Sequence, residues 1–180
     1  MTRRGDITRR YDVPSTGVGE GWAIIYIDVE SLFFATVSDF GNYAFKWTDI
    51  GDNEFRKFLI GLEPDYLHGK LMHGRGDAKV FDGEATYAAV KKHIMKETKK
   101  HDHTLYKREK SRLQEVDSFD HQSDFDHWMG ETDLDTPWEF IVRVPEPQCM
   151  MFCTKTFARF KQTLLDELHV ESGYTLKHQE

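Results

Sequence analysis

The feature that most constrains the fold of this chain is a regular apolar stripe in its last forty residues or so. The stripe repeats at steps of three and four residues and consists of Met150, Cys153, Phe157, Phe160, Leu164 and Leu168. This spacing places the side chains on one face of an α-helix. Such a face must be buried against another layer, so the rest of the chain has to supply an apolar surface.

Three segments have the composition of the strands that can form this second layer. They are GWAIIYIDVE, SLFFATVSDF and NYAFKWT, which are rich in β-branched and aromatic residues. Between the last two, Asp39 can bond the local backbone and Gly41 can take a positive φ, which predicts a tight turn. The three segments indicate an antiparallel meander, and WEFIVRV, from Trp138 to Val144, is a candidate fourth strand.

Helical patterns complete the fold class. NEFRKFLIGL has an apolar face, Pro64 suits the first turn of a second helix, and a long helix is expected from about Glu84 to Lys100. The predicted class is therefore α+β: an antiparallel sheet of three to four strands packed by several helices, including a long C-terminal helix. Residues 1–21, rich in Arg, Gly and Pro, are expected to form a flexible N-terminal arm, and residues 22–180 a single domain.

Net charge and apolar patterning exclude some classes of protein. The net charge of −7 argues against a protein that binds phosphate backbones with its whole surface. No apolar run approaches the roughly 20 residues of a membrane span, and the first residues lack the apolar segment of a secretory signal, which predicts a cytoplasmic location. Cys149 and Cys153 are four residues apart, a spacing that favours two buried thiols over a disulfide.

An acidic segment, residues 113–136, contains eight Asp or Glu residues and no Lys or Arg. Its carboxylates alternate with aromatic residues, which is typical of a surface that attracts a basic partner and anchors it through aromatic rings. The other interpretation is an ordinary solvated segment. The candidate partner-binding residues are Asp120, Asp124, Phe125, Asp126, Trp128, Glu131, Asp133 and Asp135. On the first interpretation the segment could partly mimic DNA.

A basic segment, residues 91–112, precedes it, with nine Lys or Arg residues against three acids. It gives the runner-up hypothesis, a nucleic-acid-binding module. The residues assigned to that role are Lys92, Lys96, Lys99, Lys100, Lys107 and Arg108. The same segment can equally be the solvated side of a helix, and the two charged segments can neutralise each other in the fold.

The nine histidines raise the hypothesis of a metal-dependent enzyme, which stands third. His101 and His103 do not share a helix face, and His121 and His127 do not either, so their spacing is unlike that of a zinc site. Phosphate-binding loops and nucleophile elbows are missing from the sequence. We therefore assign no catalytic residue, no metal ligand and no cofactor, and we expect a protein that is not an enzyme.

Three stretches resemble small accessory proteins encoded by bacteriophages and prophages: SDFGNYAFKW, EFRKFLIGLEPDYLHGKL and FARFKQTLLDEL. The likeness covers about half the chain and carries no catalytic residue. Such proteins often bind a host protein, and inhibitors of CRISPR and other bacterial defences form one group of them. The resemblance thus implies a phage protein that binds a host protein in the bacterial cytoplasm, with inhibition of a defence system as its specific role. The acidic segment adds the expectation that this host protein has a basic surface.

Overall fold

The computed structural model describes residues 8–177, and it describes the side chains of residues 8–173. The chain divides into two compact units, a sheet unit (residues 8–78 and 145–177) and a helical unit (residues 79–144). The single domain expected over residues 22–180 stays a prediction.

Six strands and eight α-helices occur in the described part of the chain, with two π-helices and one 3-10 helix between them. In chain order they are β1 Thr8–Val13, β2 Ala23–Asp28, β3 Phe33–Ser38, β4 Gly41–Lys46, α1 Phe55–Ile60, α2 Pro64–Leu71, β5 Lys79–Phe81, α3 Gly83–His93, a π-helix Ile94–Thr98, α4 Lys99–His101, α5 His103–Val116, α6 Gln122–Glu131, a 3-10 helix Pro137–Phe140, β6 Arg143–Pro145, α7 Pro147–Met151, a π-helix Phe152–Thr156 and α8 Phe157–Lys177.

The sheet unit contains a four-stranded antiparallel meander in the order β1-β2-β3-β4. Its register places Tyr11 opposite Ile25, Ile25 opposite Thr36, and Thr36 opposite Tyr43. Side chains alternate between the two faces of a strand, so this row and the parallel row through Phe34 form one covered face. The α+β class with an antiparallel meander and a long C-terminal helix is confirmed.

The fourth strand of the meander is β1 and not the segment from Trp138 to Val144. β1 lies within residues 1–21, which are expected to form a flexible arm because they are rich in Arg, Gly and Pro. As an edge strand with one solvated face, however, β1 needs only alternate side chains turned inward, and Val13 is buried at its end. Residues 1–7 of the expected arm lie outside the described residues.

The segment from Trp138 to Val144 instead belongs to the 3-10 helix and to β6, which pairs with β5 in a separate two-stranded sheet. Pro137 starts the 3-10 helix, because its fixed φ suits a first helical position. The apolar residues of WEFIVRV therefore do not extend the meander, and the prediction of a strand at this position was wrong for its first half.

The apolar stripe of α8 covers the meander, as its periodicity predicts. Phe160 lies 5.1 Å from Tyr11 and 6.3 Å from Phe34 between ring centroids, and Phe157 lies 5.8 Å from Phe34. Cys149 and Cys153 are buried free thiols in the same core. The hydrogen bond with Cys149, together with burial, raises the pKa of Cys153, so this thiol stays protonated.

The helical unit has a core of its own, built by α3, α5, α6 and the segments between them. Its buried residues are Val90, Ile94, Tyr106, Leu113, Phe119, Phe125, Trp128 and Leu134. The long helix expected from about Glu84 to Lys100 is present as α3, the π-helix and α4. Its five-residue π-helix was not predicted, because apolar spacing does not report a local widening of a helix.

Candidate functional site

The acidic segment presents carboxylates to solvent on the helical unit. It runs from the end of α5 through α6 to the 3-10 helix. Of its candidate partner-binding acids, Asp120, Asp126, Glu131, Asp133 and Asp135 are exposed, and Asp124 is half-buried. The side chains of Asp126, Glu131 and Asp135 make no hydrogen bond or ion pair with any residue that the structure describes. The segment therefore carries negative charge that the described part of the fold does not neutralise.

The aromatic residues assigned to the same surface are core residues. Phe125 is fully buried and Trp128 is only 2% exposed. Their ring centroids lie 5.7 Å apart, and Phe119 packs against both at 5.3 and 5.7 Å. The acidic residues of α6 occupy its wet face and the aromatic residues its apolar face. Phe125 and Trp128 are thus unable to anchor a partner at the surface of this structure, and that part of the prediction was wrong.

One exposed aromatic residue lies directly after the acidic segment. Trp138, in the 3-10 helix, is 59% exposed. A tryptophan so exposed offers apolar surface that a binding partner can remove from water. Trp138 was assigned to a strand in the sequence analysis, and the signal that would have revealed it is the turn-favouring Asp135-Thr136-Pro137 before it.

Asp133 is the point where the acidic and basic segments meet. Arg112 approaches Asp133 at 2.6 Å and Arg108 approaches it at 2.9 Å. The hydrogen bond from Arg112 is the largest of the effects that hold the pKa of Asp133 below its usual value. Asp133 and Arg108 are therefore engaged with each other, and they are poorer candidates for contacting a protein or a nucleic acid than their exposed neighbours.

Glu109 lies next to Arg108 and Arg112 and is fully buried. Its carboxylate accepts hydrogen bonds from Arg112 at 2.7 Å and from the Thr132 hydroxyl at 2.6 Å. A buried charge is tolerated only when it is paired and hydrogen-bonded, and Glu109 meets both conditions. The Glu109 network ties α5 to the loop after α6, so this part of the charge pattern is structural.

The lysines assigned to nucleic-acid binding remain exposed. Lys92, Lys96, Lys99, Lys100 and Lys107 all face solvent. None of them forms an ion pair with a described residue, although the ammonium of Lys99 lies 5.6 Å from the ring centroid of Tyr106. The basic segment thus offers positive charge, and its role in nucleic-acid binding stays a prediction.

A cavity of about 320 Å³ in the helical unit was not foreseen. We call it the Thr98 cavity. Its lining comes from five helical elements and two loops and consists of His93, Glu97, Thr98, His101, Asp102, Leu105, Leu134, Asp135, Thr136, Glu139 and Phe140. Glu97 and Asp135 are far apart in the sequence, so no local motif could indicate that they line one cavity. Trp138 belongs to the same 3-10 helix as Glu139 and Phe140.

The metal hypothesis finds no support in the geometry of the described residues. Among residues 8–173, no group of three or more His, Cys, Asp or Glu side chains is arranged to hold a metal ion. In the Thr98 cavity, Asp102 caps α5 by accepting the backbone N–H groups of Thr104 and Leu105 at 2.9 Å each. Asp102 is therefore a helix cap rather than a ligand.

The sheet unit has a second concave region, of about 580 Å³, beside α1 and α8. The Arg56 guanidinium in its wall donates to both carboxylate oxygens of Glu171 at 2.8 Å and to Glu54 at 2.7 Å. These hydrogen bonds are the main reason that the pKa of Arg56 is raised. The guanidinium is fully used in joining α1 to α8, so this region is a structural joint.

A comparison with protein-family models shows the family of the chain. The model described as "Phage family" matches residues 6–166. The chain belongs to this phage protein family. The resemblance inferred from the three sequence stretches is thereby confirmed, and it extends over most of the chain.

Other comparisons add no relatives. The search of curated proteins returned no match, and neither did the search of solved structures. In residues 8–177 of this phage family member, no helix is both long and apolar enough to cross a membrane. The site chemistry must therefore be argued from the residues themselves.

Proposed function

We propose that this phage protein acts in the cytoplasm of the bacterial host by binding a host protein with a basic surface, and that it is not an enzyme. Inhibition of a bacterial defence system is the specific role we propose for it. The observation that carries the proposal is the set of exposed, unpaired carboxylates on the helical unit, Asp126, Glu131 and Asp135 above all.

Charge complementarity explains why such a surface selects a basic partner. Exposed carboxylates attract a basic surface over distances comparable to the Debye length, about 8 Å at physiological salt. They speed encounter and exclude acidic partners, but they contribute little to holding a complex once formed. Many proteins that handle nucleic acids have basic surfaces, and a defence nuclease is a partner of this kind.

The anchor in this proposal is Trp138 in place of Phe125 and Trp128. Tryptophan is among the residues that most often dominate binding energy at protein interfaces, because its large ring loses contact with water. Trp138 is exposed and follows the acidic segment within three residues of Asp135. The carboxylates would therefore guide the partner, and Trp138 would hold it.

Capture and reconstitution together test the proposal. The tagged protein is incubated with lysate of the phage host, the captured protein is identified by mass spectrometry, and binding is repeated with both purified proteins. The proposal requires direct binding to one basic protein. Trp138→Ala should accelerate dissociation, by a factor that corresponds to about 2 kcal/mol or more. Tyr66→Ala is the control, because Tyr66 is exposed in the sheet unit.

The runner-up function is nucleic-acid binding through the basic segment, which the exposed and unpaired lysines favour. A mobility-shift assay with single- and double-stranded DNA distinguishes the two. Retardation that is lost when Lys96, Lys99 and Lys100 are changed to Gln would replace our proposal with the runner-up. Absence of retardation at low salt would remove the runner-up.

A further inference from the structure

The face of the meander opposite α8 is apolar at its centre, and we call it the open face. Side chains alternate between the two faces of a strand, so every second residue of the meander lies on this side. Ile24 lies opposite Val37 there. Tyr26 lies opposite Ala35, and Ala35 lies opposite Ala44 of β4. Apolar side chains are therefore continuous across β2, β3 and β4.

The apolar residues of the open face belong to neither hydrophobic core of the described chain. They are Ile24, Tyr26, Phe33, Ala35, Val37 and Ala44. Val37 is 45% exposed, and Trp22, two residues before Ile24, is 40% exposed. Monomeric proteins rarely expose a contiguous apolar patch of more than a few hundred Å², and larger ones mark interaction sites. The open face thus has the composition of a contact surface.

The rim of the open face is polar and balanced in charge. Arg10 and Asp12 lie on β1 and form an ion pair at 2.7 Å, Asp28 ends β2, and Lys46 ends β4. An apolar centre inside a polar rim is the usual anatomy of a protein interface. Two acids and two bases on the rim do not select a partner of either charge, in contrast to the acidic segment.

A second copy of the chain fits the open face because the face is complementary to itself. Packed sheets lie about 10 Å apart with their strands nearly aligned. A two-fold axis between β2 and β3, nearly parallel to the strands, places β2 of one copy over β3 of the other. Tyr26 then lies over the small Ala35 of the second copy, and Ile24 lies over Val37. Each contact occurs twice, as in every two-fold interface.

The same axis places the two edge strands over each other without opposing like charges. Asp12 lies over Asn42 of the second copy, whose amide can donate a hydrogen bond to the carboxylate. Lys46 lies beside Asp28 of the second copy, within reach of its long side chain. Opposite charges that meet in this way fix the register of an interface.

We propose that this chain forms a two-fold dimer through the open face of the meander. Four strands of six residues span about 19 by 20 Å, because strands lie about 4.8 Å apart and each residue adds about 3.3 Å. This area is at the lower end of specific interfaces, so the dimer dissociates on dilution. The proposal goes beyond the proposed function and does not depend on it.

Sedimentation velocity over a concentration series of the purified protein tests the dimer. The wild type should shift from monomer to dimer as its concentration rises. Val37→Lys places a charge in the apolar contact and should weaken the dimer by about tenfold or more. Val170→Lys makes the same change on an exposed position of α8 and should dimerise like the wild type. A monomer at every concentration, or equal dimerisation of the two folded variants, would overturn the proposal.

A second pair of variants tests the two-fold arrangement without changing the apolar area. Asn42→Asp brings a carboxylate over Asp12 of the second copy and should weaken the dimer severalfold, because like charges then face each other. Asn53→Asp adds the same charge in the loop before α1 and should have no effect. Equal weakening by both would show that only net charge matters, which would contradict this arrangement.

The dimer and the proposed function fail separately. Loss of the dimer in Val37→Lys with unchanged capture of the basic host protein would support both. A monomeric wild type whose capture of the host protein is abolished by Val37→Lys would assign the open face to the host protein and overturn the dimer.

Discussion

At the residue scale, close approach to backbone makes one glycine indispensable to the helical unit. A Cβ atom built on Gly83 would lie 1.6 Å from the carbonyl oxygen of Phe119. That distance is far inside van der Waals contact, and backbone atoms are unable to move aside as the end of a flexible side chain can. Gly83 therefore lets the start of α3 lie against the loop that leads to α6.

Gly83→Ala is expected to destabilise the protein by about 1–3 kcal/mol or more, because the added methyl group forces the two segments apart. The control is Gly130→Ala in α6, where nothing lies within 4 Å of the added Cβ. That variant should be stabilised by about 0.5–1 kcal/mol, since alanine favours helix over glycine. Urea unfolding measures both. Equal stability of the two variants would show that Gly83 does not make this close contact.

At the scale of elements, the fold depends on the burial of the α8 stripe against the meander. Phe160 is fully buried and lies 5.6 Å from Phe157 between ring centroids. Phe160→Asp is expected to unfold or aggregate the protein, because it removes packing worth about 3–5 kcal/mol and buries an unpaired charge. Val170→Asp, on an exposed position of the same helix, should be tolerated. A soluble Phe160→Asp variant with an unchanged melting temperature would contradict the assignment of this face to the core.

The joint between α1 and α8 predicts how stability depends on pH. The hydrogen bonds from Arg56 hold the pKa of Glu171 below its usual 4.5. A carboxylate whose pKa is lower in the folded than in the unfolded protein stabilises the fold above the unfolded pKa, and this stabilisation is lost as pH falls through the folded pKa.

The free energy of unfolding should therefore decrease as pH falls below 4.5, and Glu171→Gln should make the decrease shallower. Glu63→Gln, an exposed position before α2, is the control and should leave the profile unchanged. Urea unfolding over a series of pH values gives the comparison. Superimposable profiles for wild type and Glu171→Gln would show that this joint does not contribute.

A helix or strand can be predicted from the sequence when neighbouring residues carry its hydrophobic period. The stripe of α8 and the strands β2 to β4 were predicted correctly, because burial on one face imposes a period that neighbouring residues reveal. The edge strand β1 has too few apolar residues to show that period. On α6 the error was of another kind: Phe125 and Trp128 alternate with acids because the helix is amphipathic, and the same alternation was interpreted as a mixed surface.

At the scale of the whole molecule, the cavity and the pairing of charges were beyond prediction from one sequence. Arg108 and Arg112 pair with Asp133 although α6 lies between them in the chain. Glu97 and Asp135 line one cavity only after α4, α5 and α6 have folded together. Contacts between residues so distant in sequence depend on tertiary packing, for which periodicity carries no signal. The family, in contrast, was accessible from short stretches, and the match over residues 6–166 confirms it.

The central claim is that the acidic surface of the helical unit guides a basic host protein to this phage protein. The measurement that tests it most directly is the association rate constant with the purified partner at low and at high salt. Two triple variants with equal net charge are compared: Asp120→Asn, Asp124→Asn, Asp126→Asn on the acidic segment, and Asp52→Asn, Glu63→Gln, Asp65→Asn on exposed positions of the sheet unit.

Steering by the acidic surface predicts that only the first variant associates more slowly at low salt, by about tenfold, and that its association rate loses most of its salt dependence. The sheet-unit variant should associate like the wild type. Equal association rates for the wild type and the acidic-segment variant at low salt would contradict the claim, because the carboxylates would then act only as a solvated face.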